Sequence, residues 1–170
     1  MHGKGLLILL SGPEPQRTIL EKNMLAQLPE YPGEVVLVRG LPQKGKTLEV
    51  PPNVNVHDHL PAHQLNRQMM DAEIIISRSG YSTVMDIAAL EKKSIMIPTP
   101  GQTEQEYLAA HLMQMNIALG ISQSKFRLSS ALSLARSFHY DFRFILPESH
   151  LESAIKSFLY KIQFKVFGSR

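Results

Sequence analysis

Short apolar runs set between segments of helical period constrain this chain more than any other feature of its sequence. The runs cover 5–10, 34–39, 53–57, 73–77 and 94–97, with a weaker one at 118–121. They are rich in Val, Ile and Leu and too short for buried helices, which predicts strands buried on both faces of a parallel sheet. Helical spacing of apolar residues predicts helices over 15–28, 62–70, 82–91, 104–115 and 128–138. Alternation of this kind builds right-handed β-α-β units, so the expected fold class is α/β: a doubly wound, mostly parallel, Rossmann-like sheet. In such sheets ligands lie outside the carboxyl ends of the strands, so the strand-to-helix turns are where function is sought.

A chain of 170 residues is long enough to bury roughly 70% of its unfolded surface in one core. No run approaches the ~18 apolar residues of a membrane span, and the amino terminus lacks the order of a signal peptide. Zero cysteines leave no disulfide framework and no thiolate metal site. A cytosolic setting is expected. Past residue 142 the pattern changes: Leu151, Ile155, Phe158, Leu159, Ile162 and Val166 form a helical stripe beside lysines. The expected division is therefore a ligand-binding domain over 1–150 and an amphipathic helix within 151–170. That helix could pack on its own sheet, dock to another domain, or lie on an anionic membrane. The net charge of +3 sits in this tail and the remainder balances to zero, which argues against a nucleic-acid partner.

Several motifs fail on context. The segment from Gly40 to Thr47 matches the phosphate-loop pattern G-x-x-x-x-G-K-[ST] letter for letter. That chemistry needs a helix starting at the lysine, and Pro51-Pro52 follow too soon to allow one; a flexible basic turn is expected instead. Gly3-x-Gly5 precedes the first strand, where a dinucleotide fingerprint would follow it. His57-Asp58-His59 with His63 suggests a metal cluster, but Leu60-Pro61 break any shared helix face, so no metal is expected. Asp71-Ala72-Glu73 is the nearest approach to an Asp-x-Asp diphosphate motif, and it sits at a strand entrance.

The turn after the run 73–77 carries more. Arg78 emerges from the strand, Ser79 and Gly80 make a tight turn, and a helix begins near Ser82 or Thr83. First-turn amides have no internal acceptor and carry the positive end of the helix dipole, which makes a diphosphate seat. Asp86 has two readings here. Thr83-x-x-Asp86 has the spacing of a capping box, and a carboxylate at this place could instead accept both hydroxyls of a ribose. The next turn repeats the logic, with Thr103-x-x-Glu106 at capping-box spacing and Glu104, Gln105 and Glu106 at a helix start. In the first turn, Ser11, Gly12 and Arg17 stand around Pro15; Arg17 could reach a phosphate or be an ordinary surface arginine.

The segment Arg78-Ser79-Gly80-x-x-Thr83-Val84-x-Asp86-Ile87-Ala88-Ala89, followed by Ile97-Pro98 and Glu104-Gln105-Glu106-Tyr107, resembles the C-terminal domain of glycosyltransferase family 28. The resemblance runs from Leu6 to about Ile121 and is most specific over 74–109. It implies one half of a GT-B enzyme that binds a UDP-sugar, a UDP-N-acetylhexosamine above all. Ser79, Gly80 and Thr83 would then lie near the diphosphate and sugar, and Asp86 would stand where a ribose-binding Glu is usual. His59-Leu60 would meet the uracil through backbone groups, and Gln105 and Glu106 the sugar hydroxyls. Ser11-Gly12-Pro13-Glu14-Pro15 replaces the family's first glycine-rich loop. The resemblance further implies no cofactor and no catalytic residue in this chain, since acceptor and general base belong to an N-terminal domain or partner subunit. The chain alone is expected to be inactive, with peripheral contact at the inner membrane face through the acceptor side. Two other readings stay open: half of a UDP-sugar hydrolase, and a non-catalytic nucleotide- or partner-binding module.

Overall fold

The computed structural model describes residues 5–142; Gly3 and the stripe expected within 151–170 lie outside the described residues. Six strands and five helices follow in the order β1 (Leu6–Leu9), α1 (Gln16–Gln27), β2 (Val35–Val38), β3 (Val54–His57), α2 (Ala62–Asp71), β4 (Ile74–Ser77), α3 (Tyr81–Ala89), β5 (Ser94–Met96), α4 (Thr103–Gln114), β6 (Leu119–Gly120) and α5 (Leu128–Ser137). Each expected run and helix is present, with ends shifted by a residue or two. The strands form one sheet in the order β3-β2-β1-β4-β5-β6, and all five pairings are parallel, with Ile8 facing Leu37 on one side and Ile76 on the other.

Period-two alternation divides the apolar residues between two layers. Leu6, Ile8, Ile74, Ile76 and Ile95 face α1 and α5, packing on Leu20, Met24, Leu28, Leu132 and Ala135. Leu7, Leu9, Ile75 and Met96 face the other way, onto Met69, Val84, Ile87, Leu108 and Leu112 of α2, α3 and α4. Because both faces are covered, these strands read as continuous hydrophobic runs. Each fully buried aliphatic side chain contributes about 1.5–3 kcal/mol relative to exposure.

One crossover lacks a helix. β2 and β3 pair in parallel, which requires a long connection, and the stretch 39–53 supplies it without a helix or strand of its own. Pro42, Pro51 and Pro52 bar a helix here, and Leu48 and Val50 pack the strip against the α1 side of the core. No helix starts at Lys46.

Candidate functional site

The strand order reverses between β1 and β4. From β1 the chain winds through α1 toward β2; from β4 it winds through α3, on the opposite face, toward β5. A crevice therefore opens between the carboxyl ends of β1 and β4, where such sheets take their ligands. Its walls are Ser11–Gly12 and Arg78–Gly80. Gly12 has φ +99°, and its Cα lies against the turn after β5: a Cβ there would sit 3.4 Å from Thr99 Oγ1. Three turns thus converge on one place.

Helix α3 begins at Tyr81, one residue before the expected start, with Gly80 as its cap residue and no side-chain capping bond. Val84 N–H closing on Gly80 O (3.0 Å) is an early internal bond, so the amides of Tyr81, Ser82 and Thr83 face outward. Gly80 has φ −74°, a conformation open to any residue, so it is not there for a tight turn. A Cβ at Gly80 would meet nothing within 4 Å; the glycine leaves space in front of the helix. The corresponding end of α1 is filled from within, because Glu14 accepts from Thr18 N–H (3.1 Å) and from Arg17 Nε (2.6 Å).

Arg78 does not emerge into solvent. It is 1% exposed, and its guanidinium donates to three backbone carbonyls: Ile97 and Pro98 at 3.2 Å and Gln16 at 2.9 Å. These bonds tie the turns after β1, β4 and β5 together. Among the described residues no carboxylate pairs with it, and its Nε has no partner. Burial lowers its pKa to about 10, so at neutral pH a cation with no carboxylate partner is buried where the three turns meet. Arg17 is likewise buried, held by Glu14, by Glu21 (3.3 Å) and by the Arg39 carbonyl (3.4 Å). It is neither a surface arginine nor a free phosphate ligand.

Asp86 falls on the sixth residue of α3, is exposed, and caps nothing. The capping-box reading of Thr83 and Asp86 is therefore wrong, because the helix starts two residues before Thr83. Asp86 instead lines a groove of about 310 Å³ between α2 and α3, opposite Ala62, Leu65 and Asn66. At the β5–α4 turn, Thr103 is the first helical residue, not the cap. Gln105 Oε1 accepts from Thr99 N–H (3.0 Å), Gln105 Nε2 donates to Gln102 (2.6 Å), and Glu106 accepts from Gly101 N–H (3.0 Å). Ser79 Oγ donates to the Gln105 carbonyl (2.7 Å), joining the starts of α3 and α4. Glu104 stays exposed on the first turn. His59 is exposed and Leu60 buried at the carboxyl end of β3. Among the described residues no group of three or more His, Asp or Glu converges as a metal site, so His57, His59 and His63 do not cluster.

Residues 18–139 match the glycosyltransferase family 28 C-terminal domain. The chain belongs to this family. An N-acetylglucosamine transferase acting on pyrophosphoryl-undecaprenol from Methylorubrum extorquens is 41% identical over 61 residues, covering 35% of this chain and 16% of that enzyme. The namesake enzyme of Buchnera aphidicola is 34% identical over 92 residues, covering 54% and 26%. The chain thus spans about a sixth to a quarter of the curated relatives it matches. Among solved structures, spinosyn rhamnosyltransferase SpnG overlays with TM-score 0.62 at 15% identity over 81% of this chain and 38% of its own. Acinetobacter baumannii MurG overlays with TM-score 0.55 at 19% identity over 79% and 41%. Both are GT-B glycosyltransferases, and the shared fold is the doubly wound sheet described above. This chain is a family 28 C-terminal domain similar to MurG.

The family 28 domain holds functional-looking residues that sequence reasoning passed over. Arg39 and Glu21 are buried, at 6% and 5% exposure. Glu21 accepts from Arg39 at 2.7 and 3.3 Å, and Arg39 Nη1 donates to Asp58 Oδ1 at 2.8 Å and to the Lys46 carbonyl at 2.9 Å. Asp58 also accepts from Gly45 N–H (2.8 Å), and that bond, with Arg39, holds its carboxyl below the ordinary aspartate range. The turn at 44–46 is therefore pinned, not flexible as expected. Arg39, like Arg78, directly follows a buried apolar strand at its carboxyl end, a position that does not by itself separate a buried arginine from a surface one.

Proposed function

We propose that this chain is the donor-binding half of a GT-B glycosyltransferase, taking a UDP-sugar of the N-acetylhexosamine class and transferring nothing without an acceptor half. The observation that carries the reading is the crevice between β1 and β4. There an uncapped helix terminus stands beside a buried cation with no carboxylate partner, and the adjoining α2–α3 groove presents Asp86. Amides and a desolvated guanidinium together favour a diphosphate and stabilise the charge of departing UDP. Asp86, relieved of any capping duty, is free to accept ribose hydroxyls, and the turn at His59-Leu60 offers backbone groups to the base. Thr83, Gln105 and Glu106 flank the sugar end, and Arg17 and Gly12 support the turn beneath it. The general base and the acceptor come from an N-terminal half or partner subunit, in keeping with the small share of its relatives that the chain spans. On this reading the protein works in the cytoplasm, against the inner face of a membrane carrying a lipid-linked acceptor.

Calorimetry of the 170-residue chain with UDP, UMP and GDP tests the proposal. UDP is expected to bind most tightly and GDP least; no heat with any nucleotide sinks the reading. Asp86→Asn is expected to weaken UDP about tenfold, or 1.4 kcal/mol, without moving the melting temperature. Products of the full-length enzyme then separate transfer from hydrolysis: a glycosylated lipid supports the proposal and free sugar overturns its transferase part.

A further inference from the structure

We propose that Arg39 and Asp58 are positioning residues for the nucleobase end of the donor site, fixing the backbone of His59 through an ion-pair lattice that begins at Glu21 on α1. The inference rests on the nucleotide reading above.

The lattice crosses four elements. Arg17 and Arg39 share the Glu21 carboxylate, and Arg39 reaches on to Asp58. Arg39 N–H also donates to the His57 carbonyl (2.8 Å) and Leu41 N–H to the Asp58 carbonyl (2.8 Å), so the β2–β3 ladder runs past the strand ends. Asp58 is consequently held at three points: one carboxylate oxygen by Arg39, the other by Gly45 N–H, and its carbonyl by Leu41. Leu60 is anchored in the core beside α2. His59 lies between these two fixed residues, exposed, and makes no hydrogen bond of its own among the described residues. Its amide and carbonyl make no backbone hydrogen bond and lie between two anchored neighbours.

That arrangement suits recognition of a base edge. Bases differ in the order of donors and acceptors along one edge, and a site built to pair with them discriminates only if its own groups are fixed. Stability alone does not call for such a lattice, because well-packed apolar residues replace a buried ion pair at little or no loss. An arginine fork adds geometric definition. The neighbouring turn is fitted to it as well: a Cβ on Gly45 would collide with the Arg39 guanidinium and the Leu41 side chain. This is what the segment matching the phosphate-loop pattern does. Its glycine lets the turn close over the lattice and lock Asp58.

The test uses the 170-residue chain, with UMP, GMP and inorganic pyrophosphate titrated against the parent, Asp58→Asn and Arg39→Lys. Pyrophosphate reports the α3 terminus, with which neither Arg39 nor Asp58 makes a contact. In both variants UMP is expected to weaken about tenfold and its preference over GMP to shrink, with pyrophosphate affinity kept within about twofold. Asp58→Asn is the milder change, at the exposed end of the lattice, and decides the matter if Arg39→Lys does not fold. Unchanged UMP affinity and base preference overturn the inference while leaving the donor reading intact. Parallel loss of UMP and pyrophosphate also overturns it, since that is the mark of a general structural role. If the parent binds neither UMP nor pyrophosphate, the donor reading falls first and the inference with it.

Discussion

Two buried arginines at strand ends do opposite things with their charge. Arg39 is matched by Glu21 and Asp58, and those hydrogen bonds raise its affinity for its proton. Arg78 is matched by carbonyl dipoles alone, and desolvation lowers its pKa. Replacing Arg78 with Met removes the desolvated charge but leaves three carbonyls without their donor, each costing about 1–3 kcal/mol when buried. The expected net loss is about 3 kcal/mol in urea unfolding, together with weaker pyrophosphate binding. A variant of unchanged stability would show that the three turns hold one another without it. Neither arginine's role was legible beforehand. A basic residue after an apolar run reads equally as a surface group, and most of its partners are far along the chain, Glu21 and Asp58 for Arg39 and Ile97, Pro98 and Gln16 for Arg78. Only the strand order brings them together.

At the level of elements, the start of α3 carries the sharpest prediction. Gly80→Ala places a methyl where the fold leaves open space and where φ suits alanine. Stability is expected to hold within about 0.5 kcal/mol, because the gain from a less flexible unfolded chain is offset by alanine being a poorer cap residue than glycine. UDP affinity is expected to fall, because the methyl stands in front of the outward amides. Melting curves and calorimetry on one sample check the two together, and a tighter-binding variant would contradict the site. The elements themselves were readable because strands covered on two faces have no polar side to disguise their period. The helix starts were not. Thr83 and Asp86, and Thr103 and Glu106, have capping-box spacing, yet the extended residues Gly80 and Gln102 begin the helices earlier. Four-residue spacing costs a sequence nothing, whereas backbone conformation decides where a helix begins. The 40–52 crossover was legible as non-helical from its prolines, but its pinning to Asp58 was not.

For the molecule as a whole, the far end of the sheet contributes to stability at alkaline pH. Tyr140 donates to the Ser94 carbonyl (3.1 Å) and packs edge-on to Phe138 and flat against Phe142. Burial pushes its phenol well above the ordinary tyrosine range. A folded-state pKa raised above the unfolded one gives stability that is complete below the unfolded value, about 10, and is lost as pH rises beyond it. Tyr140→Phe is expected to cost about 1 kcal/mol at neutral pH but to flatten the decline between pH 10 and 11. Equal slopes for the two proteins in urea titrations would refute that assignment. At the opposite end of the strands, the Ser79 hydroxyl fastened to the Gln105 carbonyl has a consequence of its own. Helices α3 and α4 cover the same face of the sheet, and this bond fastens their starts to each other. On the proposed donor reading this bond makes a calliper, with the start of α3 at the phosphates and the start of α4 at the sugar. A donor that joins sugar to nucleoside through a single phosphate is then expected to bind more weakly than one carrying a diphosphate.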